Sequence, residues 1–149
     1  IRVNSDSPLI SSFLLNKYLK IFKRKKIDYL TNILSPTFPY GISIEIFNFK
    51  TLQKSFKGAK KKFEKEHVTP FIYNNPKKFK IFNFVIKNNL SNFRLVVDYK
   101  EDLKVIKKII LLSKKGLNIK YMDAIKIIKN NSNLLKINKK FKNQFSITK

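Results

Sequence analysis

Carboxylates stand out in this chain because most of its charged residues are basic. The 149 residues carry 33 Lys and Arg against nine Asp and Glu, which gives a formal net charge of +24. Asp6 follows a short apolar run, and Asp98 repeats that pattern later in the chain. In a parallel α/β sheet, ligands bind beyond the carboxyl ends of the strands. An Asp at such an end can hold Mg²⁺, whose other positions are filled by water and phosphate oxygens.

Each candidate also has an ordinary structural interpretation. Asp6 could cap the following helix or support the turn that Ser7 and Pro8 predict. Asp98 could be the N-cap of a helix that starts near Tyr99. His67 is the only histidine, and a lone histidine is more often structural than catalytic. These residues alone leave both kinds of role open.

The hydrophobic spacing predicts a single α/β domain over residues 1–149. Helical spacing occupies residues 11–25, 49–63 (weakened by Gly58) and 99–115, and shorter helical segments lie around 122–129 and 132–137. Strand-like runs at 28–34, 42–47, 79–86 and 94–98 alternate with them, and this alternation indicates the α/β class. The stripe that we expect helix 99–115 to bury consists of Leu103, Ile106, Ile110 and Leu111.

Composition excludes several classes of protein. The chain has no Cys, so it has neither disulfides nor a thiolate metal site. No apolar run approaches the length of a membrane span, and the N-terminus lacks the order of a signal peptide, so we expect a cytoplasmic protein without a membrane partner. Because the chain opens on Ile1, in what looks like the middle of a strand, we expect an upstream part to be missing.

The strong positive charge raises the alternative of a basic nucleic-acid-binding protein. However, only Arg2, Arg24 and Arg94 are arginines, although arginine is the residue favoured for bidentate phosphate and base contacts. The lysines are spread along the whole chain among Asn, Ile and Phe. This pattern is typical of codon drift in a low-GC genome, and we therefore expect no nucleic-acid partner.

Four stretches, taken together, resemble the cytidylyltransferases of the spore-coat polysaccharide type. These enzymes are relatives of the synthetases that activate sialic-acid-like and octulosonic sugars as CMP conjugates. The stretches are RVNSDSPLI (residues 2–10), FPYGISIEIF (38–47), EHVTPFIY (66–73) and RLVVDYKEDL (94–103). Each motif is weak alone, whereas four in this order are specific, and the resemblance extends from residue 1 to about residue 140.

The resemblance implies a Rossmann-like nucleotide-diphospho-sugar transferase fold of the GT-A-like kind. It also implies an enzyme that transfers CMP from CTP to a sugar or sugar acid in surface polysaccharide synthesis, with release of pyrophosphate. Mg²⁺ would be required, and Asp6 and Asp98 would be its ligands by similarity. A metal held by two carboxylates offsets the charge that develops at the α-phosphate and the leaving pyrophosphate. Relatives suggest a homodimer.

The resemblance further assigns substrate contacts to five residues. Arg2 and Asn4 would face the nucleotide or sugar, and His67 would lie near the sugar. Gly41 and Glu45 would shape the sugar pocket, Gly41 by allowing close backbone approach. The ordinary interpretations are a strand-edge residue for Arg2 and a structural role for His67. Gly41 would then be a plain turn glycine, and Glu45 a solvent-facing strand residue.

Two departures and one gap qualify the resemblance. The family often has Asp where this chain has Ser43, and Thr where it has Tyr99, which leaves the acceptor sugar open. The family also begins with a Gly-rich loop containing Arg and Lys that cradles the triphosphate and reads the base, and nothing here matches that loop. We therefore expect a C-terminal portion that binds CTP poorly and is inactive alone. An inactive truncated remnant is the remaining alternative.

Overall fold

The structure, a computed structural model, describes residues 1–141 and 143. This part of the chain contains seven α-helices, three short strands and a 3-10 turn at Gly116–Asn118. None of these helices is long and apolar enough to cross a membrane. The elements in chain order are α1 Ser12–Arg24, β1 Tyr29–Thr31, β2 Glu45–Phe47, α2 Phe49–Gly58, α3 Lys62–Glu66, α4 Pro70–Tyr73, β3 Ile81–Asn83, α5 Lys100–Ser113, α6 Tyr121–Asn130 and α7 Asn133–Asn138.

The three strands form one mixed sheet in the order β2-β1-β3. Leu30 of β1 pairs with Ile46 of β2 in an antiparallel register and with Phe82 of β3 in a parallel register. The α/β class is thus confirmed, and its sheet is mixed rather than wholly parallel. The reason is connectivity: β2 follows β1 without an intervening helix, whereas α2, α3 and α4 cross over before β3.

The strand predicted at 94–98 is an extended segment outside the sheet. The amide of Leu95 donates to the carbonyl oxygen of Tyr40 at 2.7 Å, and the amide of Val97 donates to that of Asp6 at 2.9 Å. Its backbone therefore bonds to two different segments and forms no continuous ladder with either. The result is that this segment lies between the loop at Tyr40 and the turn at Asp6.

Two helices differ from the predicted pattern for identifiable reasons. The helix expected over 49–63 is divided, because α2 ends at Gly58 and α3 begins at Lys62. A Cβ atom on Gly58 would lie 2.2 Å from the ring of Phe71. Gly58 is therefore the point at which the end of α2 packs directly on α4.

Helix α5 is rotated about its axis relative to the predicted stripe. The structure buries Asp102, Val105, Ile106 and Ile109, while Leu103 and Leu111 are 41% and 76% exposed. Only Ile106 of the expected residues is fully buried. A buried charged group must keep its partners, and Asp102 has them beneath the helix. The polar anchor thus sets the orientation of the helix.

The main core packs α1, α5, α6 and α7 against the sheet and its loops. Tyr18 is fully buried there, with its ring centroid 4.7 Å from that of Phe84 and 6.3 Å from that of Phe38. Its hydroxyl has no hydrogen-bond partner among the described residues. Burial raises the pKa of Tyr18, and the hydroxyl stays protonated.

Replacing Tyr18 with Phe should stabilise the protein. Removing an unsatisfied buried hydroxyl should raise the free energy of unfolding by about 1 kcal/mol. The matched control is Tyr29→Phe, which removes a hydroxyl that donates to the buried carboxylate of Glu45 and should cost about 2 kcal/mol. Urea denaturation followed by circular dichroism measures both changes. A Tyr18→Phe variant as destabilised as Tyr29→Phe would contradict this account.

Candidate active site

One polar cleft of about 150 Å³ collects most of the residues that the motifs singled out. Its walls come from the N-terminal turn, the loop that leads into β2, the region of α3 and α4, and the extended segment 94–97. The lining residues are Arg2, Asn4, Asp6, Ser7, Ile33, Tyr40, Gly41, Ser43, Glu45, Phe63, His67, Thr69, Tyr73 and Val96. Asp98 is the one predicted site residue that is not among them.

The carboxylate of Glu45 lies at the floor of this cleft. Glu45 is only 3% exposed, so the alternative of a solvent-facing strand residue is wrong. Three side chains from different parts of the chain donate to it: the guanidinium of Arg2, the hydroxyl of Tyr29, and the hydroxyl of Thr69 at 2.7 Å. Since a buried carboxylate needs such partners, Glu45 draws these segments to one point.

Arg2 is both a strand-edge residue and a cleft residue. Its backbone pairs with that of Glu45, with N···O distances of 2.8 Å and 3.1 Å, as an isolated antiparallel bridge beside β2. Its side chain is 33% exposed, and one guanidinium nitrogen is bonded to Glu45. The guanidinium is therefore oriented at the wall while part of it stays open to the cleft.

The tyrosines around Glu45 are held in their protonated form. Burial, together with the charge of Glu45, raises the pKa of Tyr29 well above its ordinary value. Burial and the same charge raise the pKa of Tyr73, which lines the cleft. Both hydroxyls are therefore protonated near neutral pH, where that of Tyr29 donates to Glu45.

The backbone conformation and packing at Gly41 require glycine, whether or not a ligand is bound. It has φ = +97°, and a Cβ atom built on it would lie 2.6 Å from the amide nitrogen of Val96 and 2.7 Å from the carbonyl carbon of Leu95. The close approach expected at this glycine is thus made against the segment 94–97 of the same chain. It brings two walls of the cleft into direct contact.

His67 is exposed at the rim of the cleft, where its ring lies 4.5 Å from that of Phe63. The next residue, Val68, has φ = +68°, a strained value for a β-branched side chain. The hydroxyl of Ser55 donates to the carbonyl oxygen of Val68 at 3.2 Å. This local backbone conformation places both His67 and Thr69 on the cleft.

Asp6 is half-buried on the cleft wall, and the hydroxyl of Ser7 donates to its carboxylate at 2.9 Å. It does not cap α1, because the N-cap is Ser11, whose side chain accepts from the amide of Leu14 at 3.4 Å. Its other ordinary role, support of a turn, agrees with the bond from the Ser7 amide to the carbonyl of Asn4 at 3.2 Å.

Comparison with known proteins shows the family and the fold of this chain. A family model described as cytidylyltransferase matches residues 1–141. The chain belongs to the cytidylyltransferase family. The solved structure of a cytidylyltransferase from Leptospira borgpetersenii serovar Hardjo-bovis superposes with a TM-score of 0.81 at 33% identity, covering 87% of this chain and 55% of that one.

An uncharacterized protein of Methanocaldococcus jannaschii is 37% identical over 109 residues, which is 70% of this chain and 43% of that protein. The chain thus spans about half the length of these two relatives. The superposition at this identity confirms an α/β fold shared with a cytidylyltransferase.

Asp98 lies beside the cleft but is engaged with another residue. Its carboxylate accepts from Arg94 at 2.6 Å and its side chain is 36% exposed. It is not the N-cap of α5, which is Tyr99. Because Val97 bonds to the backbone of Asp6, the two predicted metal ligands stand on adjoining segments.

The departures from the family pattern fall at two different places. Ser43, where the family often has Asp, is half-buried and lines the cleft. Tyr99 lies outside the cleft lining, and its ring stacks on Phe141 at a centroid distance of 3.8 Å.

An ion pair that the sequence did not single out supports this region. Arg94 is buried, and its guanidinium donates twice to the fully buried carboxylate of Asp102, at 2.8 Å each. Asn138 donates to the same carboxylate at 2.9 Å, and the amides of Asp98 and Tyr99 donate at 3.2 Å. The available signal was Arg94 itself, one of three arginines in a lysine-rich chain.

Burial alone would raise the pKa of Asp102. The hydrogen bonds from Arg94, Asn138 and the Asp98 amide, with the charge of Arg94, outweigh burial and lower it below the ordinary value of 3.8. A carboxylate whose pKa is lower in the folded state adds stability above its unfolded pKa. That contribution is lost as the pH falls through the folded value.

We therefore expect the free energy of unfolding to fall as the pH drops below about 4, and Asp102→Asn to flatten that decline. At pH 7 the same variant should lose about 3–5 kcal/mol, because Arg94 keeps a buried charge without its main partner. Urea titrations at several pH values measure both effects. Asp123→Asn is the control, since it removes the solvent-screened ion pair with Lys115. Equal slopes in the wild type and Asp102→Asn would contradict the assignment.

Gly41→Ala should be strongly destabilising, by about 3 kcal/mol or more, because a positive φ and a backbone clash act together. The matched control is Gly116→Ala. Gly116 also has positive φ (+57°), but a Cβ there meets nothing within 4 Å, so its cost should be about 1 kcal/mol. Urea denaturation separates the two. Equal losses would show that the close approach to Leu95 and Val96 does not matter.

Proposed function

We propose that this chain forms the acceptor side of a Rossmann-like cytidylyltransferase that transfers CMP from CTP to a sugar and releases pyrophosphate. The supporting observation is that six predicted residues, namely Arg2, Asn4, Asp6, Gly41, Glu45 and His67, line one cleft. Family membership supports the reaction class. Surface polysaccharide synthesis, a cytoplasmic location and a homodimer are parts of the same proposal.

The cleft can bind and orient a polyhydroxylated acceptor. Asn4, Ser43 and Tyr73 provide short polar groups at its walls, and the open part of the Arg2 guanidinium provides fixed donors. Glu45 fixes the orientation of that guanidinium, because its carboxylate accepts a hydrogen bond from one guanidinium nitrogen at the floor of the cleft. Orientation of this kind lowers the barrier by placing the acceptor oxygen toward the α-phosphate before reaction.

The donor set of this region fits Mg²⁺. Asp6 offers a carboxylate on the cleft wall, and Asp98 offers a partly exposed one on the adjoining segment. Magnesium commonly takes only one or two protein carboxylates. Among the described residues no group of three or more His, Cys, Asp or Glu is placed to hold a metal, so the ion would take its remaining ligands from water and the phosphates of the substrate. When bound, the ion would offset charge on the triphosphate.

CTP itself would be bound largely by a part of the family's sequence pattern that has no match among these residues. The family's Gly-rich loop, which reads the base and cradles the triphosphate, has no counterpart here. We therefore propose that the chain alone binds CTP poorly and that turnover belongs to the whole protein.

The two carboxylates provide the sharpest test of this function. Asp6→Asn and Asp98→Asn, made in the whole protein, should each lower pyrophosphate release from CTP by at least about 100-fold, because the metal loses a charged ligand. Their unfolding temperatures should stay close to that of the wild type, since the Asp98 side chain is 36% exposed and Arg94 keeps both of its hydrogen bonds to Asp102 without it. The measurement is coupled pyrophosphate detection with a panel of sugars and sugar acids.

Asp28→Asn is the control for this experiment. Asp28 accepts from the amide of Lys80 at 2.8 Å, away from the cleft lining, and its replacement should leave turnover unchanged. Retained turnover in both Asp6→Asn and Asp98→Asn would refute the metal assignment.

A nucleic-acid-binding function is less well supported. Exposed lysines lie on α1, α2, α5 and α6 alike, so the charge is distributed over helices from the whole chain. None of the lysines lines the described cleft.

A further inference from the structure

Helix α2 buries polar side chains and exposes its phenylalanines. Its buried residues are Thr51 and Ser55, at 2% and 1% exposure, whereas Phe49 and Phe56 are 77% and 81% exposed. At 100° per residue, Phe49, Leu52 and Phe56 lie within about 60° of one another, and the centre of this face is about 110° away from that of the buried polar pair. A surface helix normally buries its apolar face, so this orientation is evidence for a second apolar environment on the outside.

The inward face of α2 is used for polar contacts. The hydroxyl of Ser55 donates to the carbonyl oxygen of Val68, next to the cleft. Thr51 packs in the interior, and the helix starts at Asn48, whose side chain accepts from the Thr51 amide at 2.8 Å. These contacts hold the helix in this rotation, so the two exposed phenylalanines cannot turn into the core.

The outward face of α2 borders an apolar groove of about 930 Å³ that continues to α3. Its lining residues are Phe49, Leu52, Gln53, Ser55, Phe56, Lys57, Ala59, Glu64, Lys65 and Val68. Exposed apolar patches of this kind commonly mark interaction sites.

Lysines are numerous in the segment that forms this groove, and Lys57 and Lys65 line it. Seven lie between residues 49 and 66, all of them exposed: Lys50, Lys54, Lys57, Lys60, Lys61, Lys62 and Lys65. None makes an ion pair with another residue in the part of the chain that the structure describes. Of the two acids in this segment, Glu64 is buried and accepts from the amides of Lys60 and Lys61. The outward charge is therefore strongly positive.

We propose that α2 and α3 dock this protein on an anionic lipid surface. Phenylalanines that enter the boundary between headgroups and acyl chains, flanked by lysines that meet anionic headgroups, are the two components of interfacial binding. A second copy is a poorer occupant, because it would bring the same lysines against these on a chain of net charge +24. Such docking needs no membrane-spanning segment and does not depend on the proposed catalytic function.

The position of α3 connects this face with the cleft. Phe63 and His67 line the cleft, whereas Glu64 and Lys65 line the groove. Docking through α2 and α3 therefore brings the rim of the cleft close to the lipid surface.

The test is co-sedimentation of the protein with phosphatidylcholine vesicles that contain about 30% phosphatidylglycerol. We expect binding to these vesicles, little binding to pure phosphatidylcholine, and release at 0.5 M salt. The double variant Phe49→Ser, Phe56→Ser should lower the partition coefficient at least about tenfold. The triple variant Lys50→Gln, Lys54→Gln, Lys57→Gln should lower it about 100-fold, at about fivefold for each lysine.

Helix α5 offers matched controls. One removes the exposed Lys104, Lys107 and Lys108 as glutamines, and the other replaces Leu111 and Leu112, 76% and 52% exposed, with serines. Both should bind vesicles within about twofold of the wild type. Equal losses in the α5 and α2 variants would overturn the proposal, because binding would then reflect overall charge.

Two further results would overturn the proposal. The first is unchanged partitioning of the Phe49→Ser, Phe56→Ser variant. The second is a failure to bind vesicles together with a concentration-dependent dimer, seen by sedimentation velocity, that the same double variant abolishes. That result would assign this face to a second copy. Circular dichroism melts confirm that each variant is folded.

Discussion

The buried carboxylate of Glu45 is the constraint on which the cleft depends. A charge in this position is tolerated only with hydrogen-bond donors, and those donors come from the N-terminal segment, β1 and the residue before α4. Satisfying one group therefore brings together parts of the chain that are distant in sequence. The same bonds orient the guanidinium of Arg2 and keep the hydroxyl of Tyr29 protonated.

The pair between Arg94 and Asp102 has the corresponding role on the other side of the cleft. It anchors α5 to the extended segment 94–97, and the guanidinium lies 5.2 Å from the centroid of the Tyr40 ring. That segment in turn contacts Gly41 and bonds to the backbone of Asp6. Two buried charged groups, Glu45 and the Arg94–Asp102 pair, thus lie on either side of the cleft. Between them, the backbone at Gly41 contacts the backbone of segment 94–97 directly.

Charge is distributed unevenly over the molecule. The cleft is lined by one arginine, whose charge is balanced by Glu45, and by no lysine among the described residues. The lysines lie on the outer faces of the helices, where hydration costs little and sequence drift is tolerated. On α2 and α3 the exposed phenylalanines and lysines also border an apolar groove, which Phe49, Phe56, Lys57 and Lys65 line.

The sequence by itself determined the α/β class, the helices at α1, α5, α6 and α7 to within a few residues, and six residues that line one cleft. Apolar spacing and motif order carry this information because they are local. Tertiary structure decided that Glu45 is buried, that segment 94–98 lies outside the sheet, and that α5 turns Asp102 inward in place of Leu103 and Leu111. These outcomes depend on which distant donors reach a buried charge, and periodicity along the chain does not record such partners.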